Sequence, residues 1–377
     1  MWCNAGAVLR RFFLLGLTSF GGPTAHIGIF HTTFVHTLGW ITEEEFAHDV
    51  TLCQLIPGPA SSQLGMLIGA RRAGIIGSLC AWIGFTAPSA VLMYLAARNL
   101  GWIATQRDAG AGLLVGAAVT VCGAVWGMLM PIRTTPHAMV VCACSAGALC
   151  VAPHLATQLI VLVLSAAYGY LFFVSSTLPP DVRPALARPR HSVWLLGVAA
   201  LLLGLSWAFP STNSTLFQTG ALVFGGGHVV LPLLLARFPD ANNSILQGYA
   251  IAQLMPGPLF TLASFIGAWQ SSTPLIGAIG GTIAIFAPGW LLVCGVQSVW
   301  SRFATRPSIS RALKGTHAAV VGMLVASAMQ LVYTHIFDHP THIILALMCA
   351  VLLIRTSLPP WLIPLGCALV ASLIRMH

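Results

Sequence analysis

A chain of 377 residues with 57% hydrophobic and only 7% charged residues is not a soluble globular protein, whose charged share is about 25%. The net charge of +9 does not indicate nucleic acid, because the basic residues fall in scattered pairs between apolar runs, the pattern by which Lys and Arg orient a membrane protein. Composition predicts an all-α polytopic membrane protein whose first partner is the lipid bilayer.

The first apolar segment, 8–31, carries Arg10-Arg11 near its start and is interrupted at Gly21-Gly22-Pro23. Its start has the look of a cleaved leader, but "FQTGALVFGG" at 217–226 repeats "FLLGLTSFGG" at 13–22, so it reads as a structural helix. Thr42-Glu43-Glu44-Glu45 forms a capping box opening the second segment, 46–70. Glu45 and Asp49, one turn apart, are candidates for proton coupling beside the plain role of acids at a helix start. Within 46–70 stands "CQLIPGP", residues 53–59. A proline inside a helix costs about 3 kcal/mol, and in hydrocarbon the freed backbone groups find no water. Arg71-Arg72 closes the segment, either as a membrane anchor or as a collector of anions. Four further apolar segments follow at 74–98, 110–130, 136–151 and 155–174. A Pro- and Arg-rich linker, 176–192, precedes one odd segment, 193–209. Six more segments then echo the first six: 216–236, 244–270, 274–299, 314–334, 340–354 and 359–374. The expected total is about 13 transmembrane segments.

The echo is an internal duplication. Phe20-Gly21-Gly22 matches Phe224-Gly225-Gly226, Gln54 and Pro57-Gly58-Pro59 match Gln253 and Pro256-Gly257-Pro258, and Ala87-Pro88 matches Ala287-Pro288. The predicted domains are a first repeat over 1–175, the linker assigned to the cytoplasm, the odd transmembrane helix, and a second repeat over 210–377. With the N-terminus inside, the segment count leaves only Arg98, Arg107 and Arg375 outside, among 17 basic residues. That threading puts Glu43–Glu45 outside, opposite Arg71-Arg72. The odd segment turns the second repeat upside down, the inverted plan of secondary transporters with broken helices meeting at the midplane.

A break at Pro-Gly-Pro exposes backbone amides and a helix-dipole end of about +0.5 charge, which binds an anion without a buried cationic side chain. Replacing both prolines of one break by Ala is expected to let the helix run through, with folding and insertion kept and anion binding lost. Gln54 and Gln253 are read either as anion donors or as helix–helix hydrogen bonders. Ser61, Ser62 and Gln63, with Thr261 and Ser264, either touch ligand or cap the new helix. His26 and His228 are proton carriers or satisfied core residues. Gly21, Gly22, Gly225 and Gly226 allow close approach or tight packing. The ten cysteines lie mostly in apolar runs and read as small hydrophobes. No Walker A motif appears.

At "FGGPTAHIGIF", "CQLIPGPASSQLGMLIGARRAGIIGS" and "AWIGFTAPSA" the sequence resembles the chromate ion transporter family, long-chain type, over essentially residues 8–330. The resemblance implies two homologous halves and a chromate- or sulfate-like dianion as substrate. It also implies export with chromate resistance, no cofactor and no metal, and a bacterial inner membrane, with a homodimer allowed. Carried over by position, its motifs fall on Phe20, Gly21, Gly22, Pro23, His26, Gln54, Pro57, Gly58, Pro59 and Gln63. In the second half they fall on Phe224, Gly225, Gly226, Gln253, Pro256, Gly257 and Pro258. The sequence departs at "FTAPSA", where the family has Leu-Pro, and at Gly227, which stands where Pro23 does in the first half. The rival readings are sulfate uptake coupled to protons and, from another class, an intramembrane chromate-reducing enzyme.

Overall fold

In the computed structural model, residues 2–101, 107–174, 189–223, 227–238, 241–304, 307–356, 359 and 361–374 are described. Every regular element among them is helical. In chain order they are α1 (Trp2–Thr18), α2 (Gly22–Phe30) continuing as a π-helix (His31–Thr37), and α3 (Glu43–Leu55). The helical stretch Ala60–Arg98 has non-helical torsions at Ala73 and Gly74, which divide it into α4 (60–72) and α5 (75–98). Then come α6 (Arg107–Leu129), α7 (Pro136–Val151), α8 (Leu155–Phe172), α9 (Pro189–Ala208) and α10 (Thr212–Leu222). A 3₁₀ turn (Gly227–Val229) leads into α11 (Val230–Arg237), followed by α12 (Asn242–Leu254) and a second 3₁₀ turn (Leu259–Thr261) into α13 (Leu262–Gln270). The chain ends with α14 (Pro274–Ala304), α15 (Pro307–His335), α16 (Pro340–Arg355) and α17 (Leu362–Ile374). Two compact units emerge. One is Met1–Leu95, Ser176–Val230 and Met255–Ile309; the other is Ala96–Ser175, Leu231–Leu254 and Ser310–His377.

In the first unit the chain folds back twice where the sequence predicts straight passage. Phe12 of α1 stacks on Phe34 at 4.8 Å and meets Phe30 edge-on at 5.5 Å. In one continuous helix Phe12 and Phe30 would stand about 27 Å apart, so α2 runs back along α1. Likewise Arg71 of α4 bonds Asp49 of α3 at 2.7 and 2.8 Å and Glu45 at 2.9 Å. A through-going helix would separate Arg71 and Asp49 by about 33 Å. The expected single spans 8–31 and 46–70 are therefore corrected: each is a helical hairpin, reversing near Gly21-Gly22 and at Pro57-Gly58-Pro59. The 13 residues of α3 reach only about 20 Å, short of a hydrocarbon core of ~30 Å. The same ion pairs set Glu45 on the side of Arg71 and not opposite it.

A third reversal at Gly74 (φ 65°) lays α5 against α4, with Gly69 and Gly77 in backbone contact. α5 then packs on α14 with its direction opposed. Ser78 accepts a hydrogen bond from the Trp290 indole at 3.1 Å, and Trp82 meets Phe286 at 6.0 Å. As one index rises the other falls. These are the helices of Pro88 and Pro288, equivalent in the sequence duplication, and they are antiparallel.

Antiparallel contacts recur in the second unit, there between helices that are not equivalent in the sequence duplication. His137 of α7 hydrogen-bonds Tyr168 of α8 at 2.8 Å, so α7 and α8 form a hairpin. Gly112 of α6 packs on Cys367 and Ala371 of α17, and Gly116 packs on Pro364, an antiparallel order. Gly169 of α8 packs on Arg311 of α15, and Gly315 of α15 packs on Ser165, which is antiparallel again. By length and composition, four stretches among the described residues can cross a membrane: Ala60–Arg98, Asp108–Leu129, Pro274–Gln297 and Pro307–His335. Of the first, only α5 is by itself long enough for a hydrocarbon core of ~30 Å. Helix α9 starts at Pro189, a little before the expected odd segment. Most of the expected linker, together with Phe224, Gly225 and Gly226, lies outside the described residues.

Candidate functional site

The breaks converge in the first unit, and each is held by the opposite repeat. Pro57 and Pro59 have no amide hydrogen, which leaves Gly58 as the single donor of its tip. Its amide donates to the Val223 carbonyl at 2.7 Å, while the Gly257 amide donates to the Ser19 carbonyl at 2.8 Å. Val223 and Ser19 directly precede the two Phe-Gly-Gly motifs. The exchange is reciprocal. Gly58 (φ 129°) and Gly257 (φ 94°) hold left-handed torsions that side chains rarely adopt. A methyl on Gly58 would stand 3.0 Å from Gly289 Cα, and one on Gly257 would stand 2.9 Å from Ser89 Oγ. Gly289 and Ser89 in turn follow Pro288 and Pro88, so all three sequence landmarks are interlocked.

These bonds decide which donors remain. The amides of Gly58 and Gly257 are engaged by carbonyls. The first backbone bond of α4 runs from Gln63 to the Pro59 carbonyl at 2.9 Å, so the amides of Ala60, Ser61 and Ser62 have no acceptor within the helix. Beside them His26 is fully buried. Its Nε2 lies 3.2 Å from the Ser19 carbonyl and its Nδ1 lies 3.4 Å from Ser61 Oγ. A carbonyl only accepts, so Nε2 carries the hydrogen, and when the ring is neutral Nδ1 is left to accept from Ser61. The hydroxyls of Ser19, Ser62 and Thr86 are buried without a hydrogen-bond partner among the described residues. Residues 19–26, 57–63, 85–90 and 255–264 contain no charged side chain. Positive potential there comes from helix starts, and hydrogen-bond donation comes from hydroxyls.

The other candidates take distinct positions. Gln63 donates to the carbonyls of Pro57 at 2.9 Å and Gly289 at 3.2 Å, so its amide hydrogens tie the break. Thr261 turns its hydroxyl onto the Pro258 carbonyl at 2.9 Å, and Ser264 donates to Ala90 at 2.8 Å. Gly22 (φ 78°) faces His228: a methyl there would stand 3.8 Å from its Nε2. Pro23 lies within the first turn of α2 and packs against Gly227. Gln54 is exposed. Gln253 belongs to the second unit, where its carbonyl oxygen accepts from the Thr120 hydroxyl and its amide nitrogen is buried without a partner among the described residues. Pro256 and Pro258 are buried and flank the Gly257 tip.

Glu45 and Asp49 lie at the open end of the α3–α4 hairpin, away from its tip. The Arg71 fork binds both Asp49 oxygens, and Asp49 and the Arg71 side chain are 1% and 8% exposed. Glu45 completes the predicted capping box with Thr42. Arg72 lies over the Trp40 ring at 5.3 Å. Sequence reasoning missed Ser19, Thr86 and Ser89. The signal was adjacency, since Ser19 precedes Phe20-Gly21-Gly22, and Thr86 and Ser89 bracket Ala87-Pro88.

Comparison with known proteins follows the same pattern. The family model described as chromate transporter matches residues 6–170 and 211–372. A chromate transport protein of Cupriavidus metallidurans is 27% identical over 376 residues, covering 96% of this chain and 91% of that protein. A probable chromate transport protein of Synechococcus elongatus is 27% identical, covering 89% and 87%. A chromate transport protein of Pseudomonas aeruginosa is 24% identical, covering 86% and 80%. No solved structure matches the chain.

Proposed function

The chain belongs to the chromate transporter family, and on that premise we propose that it moves chromate, or a tetrahedral dianion of the same kind, across the bacterial inner membrane. The substrate is held where the broken tips converge. The observation that carries this reading is the set of buried hydroxyls of Ser19, Ser62 and Thr86, unpartnered among the described residues, beside first-turn amides of α4 that have no acceptor within the helix. A dianion offers acceptors to all of them, and helix starts complement its charge.

The architecture proposed is an inverted repeat, first half 1–175 and second half 210–377, with the helix over 193–209 reversing the second. The antiparallel pairing of α5 with α14, the equivalent helices of Pro88 and Pro288, supports it. Parallel repeats would align equivalent helices. Outward movement is the favoured direction on energetic grounds. A dianion leaving a negative interior gains about 4.6 kcal/mol at ~100 mV, roughly three decades of concentration. Resistance to chromate follows from export, and proton exchange through His26 or His228 would add to the drive.

The test is chromate flux in proteoliposomes under an imposed potential, with sulfate as competitor. Flux that follows the potential and is displaced by sulfate is the expected result. Sulfate flux alone would favour the uptake reading. Chromate reduction that vanishes with all ten cysteines replaced would favour the enzyme.

A further inference from the structure

The link between the first two hairpins carries a feature that the transport site does not use. His31 and His36 stand five residues apart, an interval that an α-helix places on different faces. Here the segment His31–Thr37 is a π-helix, with the Leu38 amide bonded to the Thr33 carbonyl five residues back at 2.9 Å. That register brings the two imidazoles together, their centroids 4.7 Å apart. Glu43, the first residue of α3, reaches back so that both carboxylate oxygens lie 2.7 and 2.9 Å from His31 Nε2. One ligand atom from each of the three residues falls within 4.8 Å of the others. Two ligands on one zinc ion at about 2.0–2.1 Å stand roughly 3 Å apart, so the cluster needs only side-chain rotation to close on an ion. Stability does not account for it. The pair is 30% and 62% exposed, and exposed ion pairs contribute little, whereas π-turns gather at functional sites.

We propose that His31, His36 and Glu43 form a binding site for a divalent transition-metal ion of the zinc class, with water completing the coordination shell. Two imidazoles and one carboxylate suit such an ion, and three protein ligands with an open position allow exchange. Bound there, the ion ties the end of the first hairpin to the start of the second. The spacing of thiols and the apolar composition gave no hint of it, because only the π-register aligns His31 with His36.

The experiment titrates Zn²⁺ into the purified full-length protein, stripped by chelator, against a chromophoric competitor. X-ray absorption is recorded on the loaded wild type. One ion per chain is expected, with metal–ligand distances near about 2.0–2.1 Å and imidazole scattering. His36→Ala and Glu43→Gln should each weaken binding by about tenfold or more. Three results overturn the proposal: no binding by wild type, sulfur scattering near about 2.3 Å that puts the ion on cysteines, or unchanged affinity and stoichiometry in the combined His31→Ala, His36→Ala, Glu43→Gln variant.

Discussion

Ser62 carries a buried hydroxyl with no hydrogen-bond partner among the described residues, an arrangement that costs about 1–3 kcal/mol when no partner arrives. Ser62→Ala should therefore leave the thermal midpoint of the substrate-free protein unchanged or raised. A marked fall would mean that the hydroxyl serves packing. Arg71 is the opposite case, a side chain whose partners are all in place. Its fork takes both oxygens of buried Asp49, and an ammonium cannot reproduce two parallel bonds. Arg71→Lys should lower the thermal midpoint, and Arg71→Ala should cost about 3–5 kcal/mol by leaving Asp49 buried without its counter-charge. Chemical denaturation monitored by tryptophan fluorescence would check both. The anchoring role read from Arg71 alone is thereby replaced, since nothing in the sequence links it to residues 22 and 26 positions upstream.

At the scale of elements, the breaks were legible and their geometry was not. Pro57-Gly58-Pro59 and Pro256-Gly257-Pro258 announce that the helix stops, because proline removes donors and glycine alone takes the left-handed torsion. Neither residue type says whether the chain continues or reverses. That is settled by tertiary contacts such as Phe12 on Phe34 and Arg71 on Asp49, which have no local signature. The consequence changes one expectation. Replacing Pro57 and Pro59 by Ala would favour a straight rod from α3 into α4, and such a rod pulls Arg71 off Asp49 and Glu45, so the variant should fold poorly. The hairpin is checked by labelling cysteines introduced singly at exposed Glu43 and Arg72 with an impermeant maleimide. Both should react from the same face of the membrane. Reaction from opposite faces would restore the single span over 46–70.

On the scale of the molecule, the duplication was readable from three landmarks, and the structure adds that they interlock. Gly58 binds the first-helix end of the other repeat, Gly257 returns the bond, and Gly289 and Ser89 close over the tips. A knot of this kind makes each half incomplete without the other, and it leaves a charge-free cluster of hydroxyls and amides at its centre. The central claim is that this cluster receives the dianion. The most direct test is equilibrium binding of radiolabelled chromate to purified wild type and to the Ser19→Ala, Ser62→Ala double variant, at matched folding by circular dichroism. Hydrogen bonds to a charged group contribute about 1.5–3 kcal/mol each. The double variant should accordingly bind at least about a hundredfold more weakly and be less responsive to sulfate competition. Equal affinity in the two proteins would contradict the claim and move the site elsewhere.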